Sequence, residues 1–587
     1  MINLTNRPLR AVFSSSILVT LAAFCCSGSG GGKISEFGNY KGFSVEKYDE
    51  WQRESKYIAM RDGIRLAFDI VRPVENGLVI EQALPAVWAY YRYHRAREKD
   101  GAILSLVDRL PPLQTLITHG YVIVVVDSRG TGASFGDVRM GPYTLQEAQY
   151  AYEITEWIAS QDWCDGNVGM FGHSYSGITQ FMAAAMMPPH LNAIFPSGAG
   201  FDFYEVIYPG GVFQESVARA ISESLRYWDI EADAVPVDGD TSGRLLKQAR
   251  LKHSKNIDPF DFFSALPYRD SRYRDYAFWL EANPMTYLPG CNQSRIPVYH
   301  WIGWKDFLRR DEFQWYVNLK GPQKLAAGWW SHDISDSYDL LAVEQLRWFD
   351  YWLKGIKNGI MDESPIHYCC IDDTGATDWR GAKAWPLPAD QTREFLFVSQ
   401  QSRSGEPVLR GQLIELTAQG DTRQQEILFP GSRELTFITP PLDRDLIVIG
   451  HPVVTLYLST SAEDVDVHVT LHELDKSQNA HPLSAAVLRA SHRVEVEPAF
   501  DNMNLPYHRH FEDDVVSIPN HKPVGLGFDL LPTANLFNRG NRIRVSISCS
   551  NIEYHGRLGE QDAPAILLHS GGDLISKISL PVLENFR

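Results

Sequence analysis

The sequence predicts an α/β protein: a doubly wound parallel sheet interrupted by a helical insertion and followed by a separate all-β region. Three observations carry this. Apolar strand-like runs alternate with helix-like segments from about Tyr48 to Ser197 and again from Ile296 to about Gly359, as parallel strands joined by helical crossovers require. Between these halves, Phe201 to Gln293 is longer than any connection in a compact sheet and is rich in helix formers and aromatics, among them Tyr227, Trp228, Phe260, Phe262, Phe263 and Trp279. From about Ala389 onward the pattern changes to short alternating strands such as Pro452–Leu458 and Ile543–Ile547, with frequent turn residues.

The chain's 587 residues, 44% of them hydrophobic, provide for a large core and exceed one domain. A formal charge of -17 without any lysine or arginine run argues against nucleic acid or an anionic membrane surface as partner.

At the N-terminus, Arg7 and Arg10 precede a short apolar stretch ending at Phe24. This reads as the basic and hydrophobic parts of an export signal over residues 1–26, too short to span a membrane comfortably. Cys25-Cys26 followed by Ser27 to Gly32 looks similar to a bacterial lipoprotein site with a flexible Gly/Ser tether, assigned to 27–44. Phe24 stands where a small residue is expected, so plain secretion competes with lipidation. The expected location is therefore secreted, periplasmic or cell-envelope lipoprotein, with membrane contact only through that anchor.

Along the sheet halves, Pro85–Ala89 and Tyr121–Val126 read as strands, Leu145–Ser160 as a helix, and Val168–Phe171 as a buried strand running into the apolar helix Ile178–Met187. The strand breaks at Gly172-His173-Ser174-Tyr175-Ser176-Gly177, read as a turn of the Gly-x-Ser-x-Gly type. Such a strand-to-helix turn exposes the serine Oγ and aims backbone N–H groups at the site of a developing oxyanion. Further on, Pro297–Trp304 ends in Lys305-Asp306, and Lys324–Trp330 ends in Ser331-His332. A nucleophile, an acid and a base each just past a strand, in the order Ser174, Asp306, His332, is the arrangement of α/β-hydrolases. His300 lies inside a strand and His173 inside the turn, where packing is the simpler role. Asp311, Asp333 and Asp336 lack the strand-end position.

Several further motifs carry a family resemblance: Val126-Asp127-Ser128-Arg129-Gly130-Thr131-Gly132; Asp162-Trp163 with Asn167-Val168-Gly169-Met170; Trp330-Ser331-His332; Leu346 to Gly355; and Leu488 to Arg493. With the elbow they make the chain, from about residue 45 to its end, resemble the cocaine-esterase-like and X-prolyl dipeptidyl-peptidase-like serine hydrolases, which include α-amino acid ester hydrolases and glutaryl-cephalosporin acylases. The resemblance implies an α/β-hydrolase domain over 45–200 and 296–388, a helical cap over 201–295 above the active site, and a β jelly roll over 389–587. It also implies an oxyanion hole formed by the Tyr175 N–H and a tyrosine hydroxyl after the strand Pro85–Ala89. Tyr93 is favoured by position, with Tyr91 and Tyr90 as rivals because Tyr91-Arg92-Tyr93 replaces the usual Asn-Pro-Tyr. Tyr91, Asp202 and Phe203 are the candidate pocket residues.

The function expected from this is two-step cleavage of a small carboxylic ester or amide through a Ser174 acyl-enzyme, without cofactor or metal. Amino-ester hydrolases of the family place two acids at the second and third positions after the triad aspartate. Leu308 and Arg309 stand there instead, and Asp202 alone is a poor substitute. This favours a neutral or anionic acyl group over X-prolyl dipeptidyl-peptidase or α-amino acid ester hydrolase activity. Arg309 and Arg310 read as solvated residues at a helix start. Acyl transfer, or noncatalytic use of the scaffold, is the remaining alternative. Gly130-Thr131-Gly132 would need glycine at Phe135 to make a dinucleotide loop. The scattered cysteines form no metal pattern, and Cys369-Cys370 reads as part of a strand. His468 and His472 lie in an alternating strand, where four residues span roughly 13 Å, too far to share a zinc. Subunit number is not legible.

Overall fold

The computed structural model describes residues 32–376, 378–388, 391–399, 410–416, 425–430, 433–549 and 565–583. The expected export signal and Cys25-Cys26 lie outside them. Ten of the eleven strands of the main sheet are, in chain order, β1 (Glu50–Ala59), β2 (Arg65–Glu75), β3 (Leu84–Tyr91), β4 (Val122–Asp127), β5 (Cys164–His173), β6 (Leu191–Ser197), β7 (Val298–Lys305), β8 (Gln323–Ser331), β9 (Ile366–Tyr368) and β10 (Arg380–Ala382); the eleventh, Leu78–Val79, pairs only with β2. Their spatial order is β10-β9-β8-β7-β6-β5-β3-β4-β2-β1. The run from β9 to β4 is parallel, and β10, β2 and β1 close its edges antiparallel. Every residue of β4 is buried, because helices cover both faces of a parallel sheet. Each fully buried valine or isoleucine there contributes roughly 1.5–3 kcal/mol.

Helix α1 (Leu145–Ala159) starts at a capping box in which Thr144 accepts from the Glu147 N–H and Glu147 reaches back to the Thr144 N–H. Helix α2 (Tyr175–Ala185) follows β5 with only Ser174 between them and is buried along its whole length. The insertion holds short helices, including α3 (Phe203–Ile207) and α4 (Glu215–Arg226). Beyond β7 come α5 (Arg309–Asn318) and, after β8, α6 (Tyr338–Trp352).

Three expectations need correction. Part of the expected tether is built structure: Ile34–Glu36 and Asn39–Lys41 pair as a hairpin, held to α6 by Gly38 N–H to Glu344 (2.8 Å) and Tyr40 Oη to Asp350 (2.9 Å). Buried acceptors on α6 give this segment fixed partners that composition does not reveal. Cys369 and Cys370 are buried but lie between strands, where the chain leaves β9 for Ile371–Asp372 of the second sheet before returning to β10.

The C-terminal strands form a β-rich domain with its own core, including Phe397, Val454, Leu456, Val469 and Val545. Three of its strands matter for the site: β11 (Asp466–Leu474) pairs antiparallel with both β12 (Ala480–Arg489) and β13 (Arg542–Ser548). A shared apolar cluster joins the domains, with Ile302, Trp304 and Phe313 packed among Ile447, Ile449 and Leu536. Arg309 and Arg310 are not solvated as expected. Arg309 is 7% exposed and donates to the carbonyls of Pro532 (2.7 Å), Leu483 (3.0 Å) and Asp306 (3.2 Å). Arg310 pairs with Asp529 at 2.7 Å.

Candidate active site

Ser174 makes the turn between β5 and α2 alone, at φ 58° and ψ −120°. A non-glycine residue held there costs of order 1–3 kcal/mol. The fully packed α2 and its partner strands enforce it. Gly172 has φ 150°, and a Cβ on it would lie 2.6 Å from Ser176 Cβ. The second glycine is displaced from the expected motif: the residue two after the nucleophile is Ser176, and Gly177 comes third. Ser176 Oγ donates to the Tyr90 carbonyl at 2.8 Å, tying α2 to β3. At Gly177 a Cβ would lie 2.8 Å from the Ser197 carbonyl oxygen, so the close approach that demands glycine falls where α2 passes the end of β6.

The loops after β7 and β8 bring the other two residues to this turn. His332 Nε2 lies 3.1 Å from Ser174 Oγ, and His332 Nδ1 lies 3.0 and 3.1 Å from the Asp306 carboxylate oxygens. Asp306 is fully buried and also accepts from the Leu308 N–H at 2.8 Å. The His332 ring is held between two others, His173 and Phe307, each with centroids at 4.5 Å. Burial first, and the neighbouring His332 second, pull the His173 pKa down to about 4, so this second imidazole is neutral near pH 7. His300 is buried against Glu312 at 2.8 Å, away from the serine.

Tyr93 lines the cavity together with Ser174. Burial raises its pKa, so the phenol is neutral near pH 7. Tyr175, first residue of α2, has a backbone N–H that the helix cannot satisfy. Its phenol is turned away, donating to Glu147 at 2.6 Å. Tyr90 and Tyr91 do not compete for the site. Tyr90 Oη accepts the Arg129 N–H at 2.9 Å. Tyr91, expected in the pocket, is not among the residues that line it; its ring packs against Tyr93 at 5.5 Å. Strand alternation sends adjacent residues to opposite faces, and Tyr91 ends β3 on the far one.

The cavity above Ser174 measures about 1230 Å³. Near the serine its walls are aromatic and apolar: Tyr93, Tyr143, Phe203, Phe263, Phe307 and Ile178. Asp202 reaches the wall but is engaged by Arg269 and Asn283, both at 2.7 Å. Arg92 and Phe307 escaped the sequence reading, and Asp311 entered it only as an alternative acid. Arg92 pairs with Asp229 of the insertion at 2.7 Å and lies over the Tyr175 ring. Phe307, beside Asp306, packs against the His332 ring with the ring planes tilted by 44°. Asp311 accepts the Phe201 and Asp202 N–H groups at 2.7 and 2.9 Å, and burial pushes its pKa up to about 7. Adjacency to the triad pointed at Phe307; nothing local marked the others. Asp127, on the glycine-containing loop, pairs with Arg95 at 2.8 Å and accepts the Ala133 N–H at 2.8 Å. Among the described residues no cluster of three His, Cys, Asp or Glu could hold a metal ion.

This geometry supplies a serine activated by an oriented imidazole next to two candidate oxyanion donors. The family described as X-Pro dipeptidyl-peptidase (S15 family) matches residues 62–333, and the X-Pro dipeptidyl-peptidase C-terminal non-catalytic domain matches 358–566. The chain is 27% identical to a protein designated a serine esterase in Mycobacterium tuberculosis, across 92% of this chain and 96% of that one. It is 24% identical to the cocaine esterase of a Rhodococcus species, across 90% and 98%. In fold it is similar to a CocE/NonD family hydrolase of Staphylococcus aureus (TM-score 0.73, 20% identity, 91% and 94% covered). It is also similar to an α-amino acid ester hydrolase (TM-score 0.67, 19% identity, 92% and 98% covered).

Proposed function

We propose that this chain, a serine hydrolase built from the S15-family catalytic domain and its C-terminal non-catalytic companion, is an esterase for small neutral carboxylic esters. The observation that carries this is the Ser174–His332–Asp306 hydrogen-bonded chain opening onto an aromatic, apolar wall. In the first step Ser174 Oγ attacks the ester carbonyl while His332 Nε2 takes its proton, with Asp306 holding the tautomer. The Tyr175 N–H and the Tyr93 hydroxyl receive the oxyanion. On collapse the ester C–O bond breaks and His332 returns the proton to the leaving oxygen. Water then repeats the cycle and releases the acid.

A substrate with a free ammonium needs an uncommitted carboxylate, since an unpaired charge in a pocket is costly. Of the carboxylates lining the cavity, Asp202 is engaged by Arg269, Glu205 by Arg269 and His510, Asp529 by Arg310, Glu434 by Arg544, and Asp311 by the Phe201 and Asp202 N–H groups. This supports ester over aminopeptidase chemistry. The test is hydrolysis of p-nitrophenyl esters beside aminoacyl and X-prolyl p-nitroanilides by wild type and Ser174→Ala. Ester turnover that disappears in the variant is expected; anilide turnover would reverse the assignment.

The same proposal places the enzyme outside the cytoplasm, supported by the basic and apolar N-terminal segment. Cell fractionation with Cys25→Ser and Cys26→Ser variants tests lipid attachment: release of either variant from the membrane fraction is expected if that cysteine is acylated.

A further inference from the structure

The cavity does not end at the apolar wall. It continues between α4 and the β-rich domain, where Thr470 and His472 of β11 and Ser546 and Ser548 of β13 line it. Along β11, Val467, Val469 and Leu471 enter the core, so Thr470 and His472 face the opposite way, as the period of a strand demands. Thr470 stands opposite Ser546 and His472 opposite Arg544 across the antiparallel pair. Three hydroxyls and two imidazoles, those of His472 and of His468 opposite Ser548, thus share one face. His472 Nδ1 is buried and finds no hydrogen-bond partner among the described residues. Burial and the nearby Arg544 hold the His472 pKa down at about 4, leaving it uncharged near neutral pH. The carboxylate at this end, Glu434, is paired with Arg544 at 2.8 Å.

Resting on the esterase reading, we propose that this polar face is a leaving-group subsite for a hydroxylated alcohol, of the polyol or sugar class. Two arguments lead here. The first is direction. The β-rich domain is fastened beside Asp306 through Arg309, whose guanidinium joins the Asp306 and Leu483 carbonyls, and on this proposal its wall receives the leaving group on the His332 side of the cavity. That is the side on which the leaving oxygen must be protonated. The aromatic wall around Tyr143 and Phe203 then takes the acyl group. The second is chemistry. Hydroxyls and neutral imidazoles both donate and accept, which matches alcohol hydroxyls. An anionic leaving group would face Glu434, and a cationic one would find that carboxylate already paired. Opposite the hydroxyls, Val217, Ile221 and Leu225 of α4 offer an apolar surface at helical spacing, suited to the C–H face of such a group.

The experiment compares kcat/KM of the full chain on methyl benzoate and on the monobenzoates of glycerol and glucose, with p-nitrophenyl benzoate as reference. A preference for the hydroxylated esters of about tenfold is expected, the equivalent of one or two neutral hydrogen bonds. In Thr470→Val/Ser548→Ala, and separately in His472→Leu, the ratio of hydroxylated to methyl ester should fall to within about twofold of unity. A ratio does not depend on how much of a preparation is folded. A wild-type ratio near one, or a high ratio unchanged in the variants, overturns the subsite while p-nitrophenyl benzoate turnover leaves the esterase reading standing. Loss of that turnover in wild type overturns both.

Discussion

On the sheet side of the cavity, Ser174, Tyr175 and Ile178 arrive from one continuous strand, turn and helix, whereas on the β-rich side Glu434, Thr470, His472 and Ser546 arrive from well-separated parts of the chain. The first wall is held by short-range constraints: a positive φ at Ser174, a close approach at Gly177 and a buried helix. The second is held by strand register and by contacts between domains. One wall does chemistry that tolerates little displacement. The other can change composition while its strands keep pairing, since the residues facing the cavity are not those facing the core. Specificity is therefore expected to vary on the second wall and mechanism to be fixed by the first.

The sharpest break of this comparison is Asp306→Asn. It leaves the fold in place but supports the wrong imidazole tautomer, so kcat should fall on the order of 10⁴-fold with little change in KM, read by steady-state kinetics. Next comes Tyr93→Phe, which removes one oxyanion donor and should lower kcat about 10²- to 10³-fold. Tyr91→Phe, turned away from the cavity, should stay within about threefold of wild type; an equal loss in both would move the oxyanion role off Tyr93.

Arg309→Met asks whether the two walls are energetically joined. Three carbonyls lose their donor, so urea unfolding should show a loss of about 2–4 kcal/mol. Because one of those carbonyls belongs to Asp306, kcat should fall as well. A stability loss with unchanged kcat would mean the β-rich domain merely leans on the catalytic one.

The smallest expected effect concerns Asp311. Its pKa in the fold is pushed up to about 7 by burial, above the ordinary aspartate value, so the native state holds a proton that the unfolded state has released. Its influence on stability is therefore most favourable below about pH 4 and is lost as pH rises toward 7. Asp311→Asn has no charge to bury. It should melt about 3 °C higher than wild type at pH 8 and nearly the same at pH 4, by calorimetry.

Legibility followed sequence distance. The elbow, the two strand-end residues and the parallel sheet could be read because each depends on neighbours within a few positions. The hairpin at 34–41 could not be read, because its partners Glu344 and Asp350 lie some three hundred residues away on α6. The same holds for Arg309, whose solvated reading fitted its own helix and failed against Leu483 and Pro532. Tyr91 and Tyr93 could be ranked but not separated until the end of β3 fixed which ring lines the cavity beside the serine.

By itself, the sequence determined the alternation of strand and helix, the insertion, the β-rich C-terminal region and the order of Ser174, Asp306 and His332, because periodicity and turn chemistry are local properties of the chain. Tertiary structure alone decided which tyrosine lines the cavity beside Ser174 and that Asp202 is already occupied. It also decided that Phe307 and His173 pack against the His332 ring, and that strands beyond residue 460 complete the cavity. Those facts depend on which distant side chains fill the same low-dielectric space, where every buried polar group needs a partner.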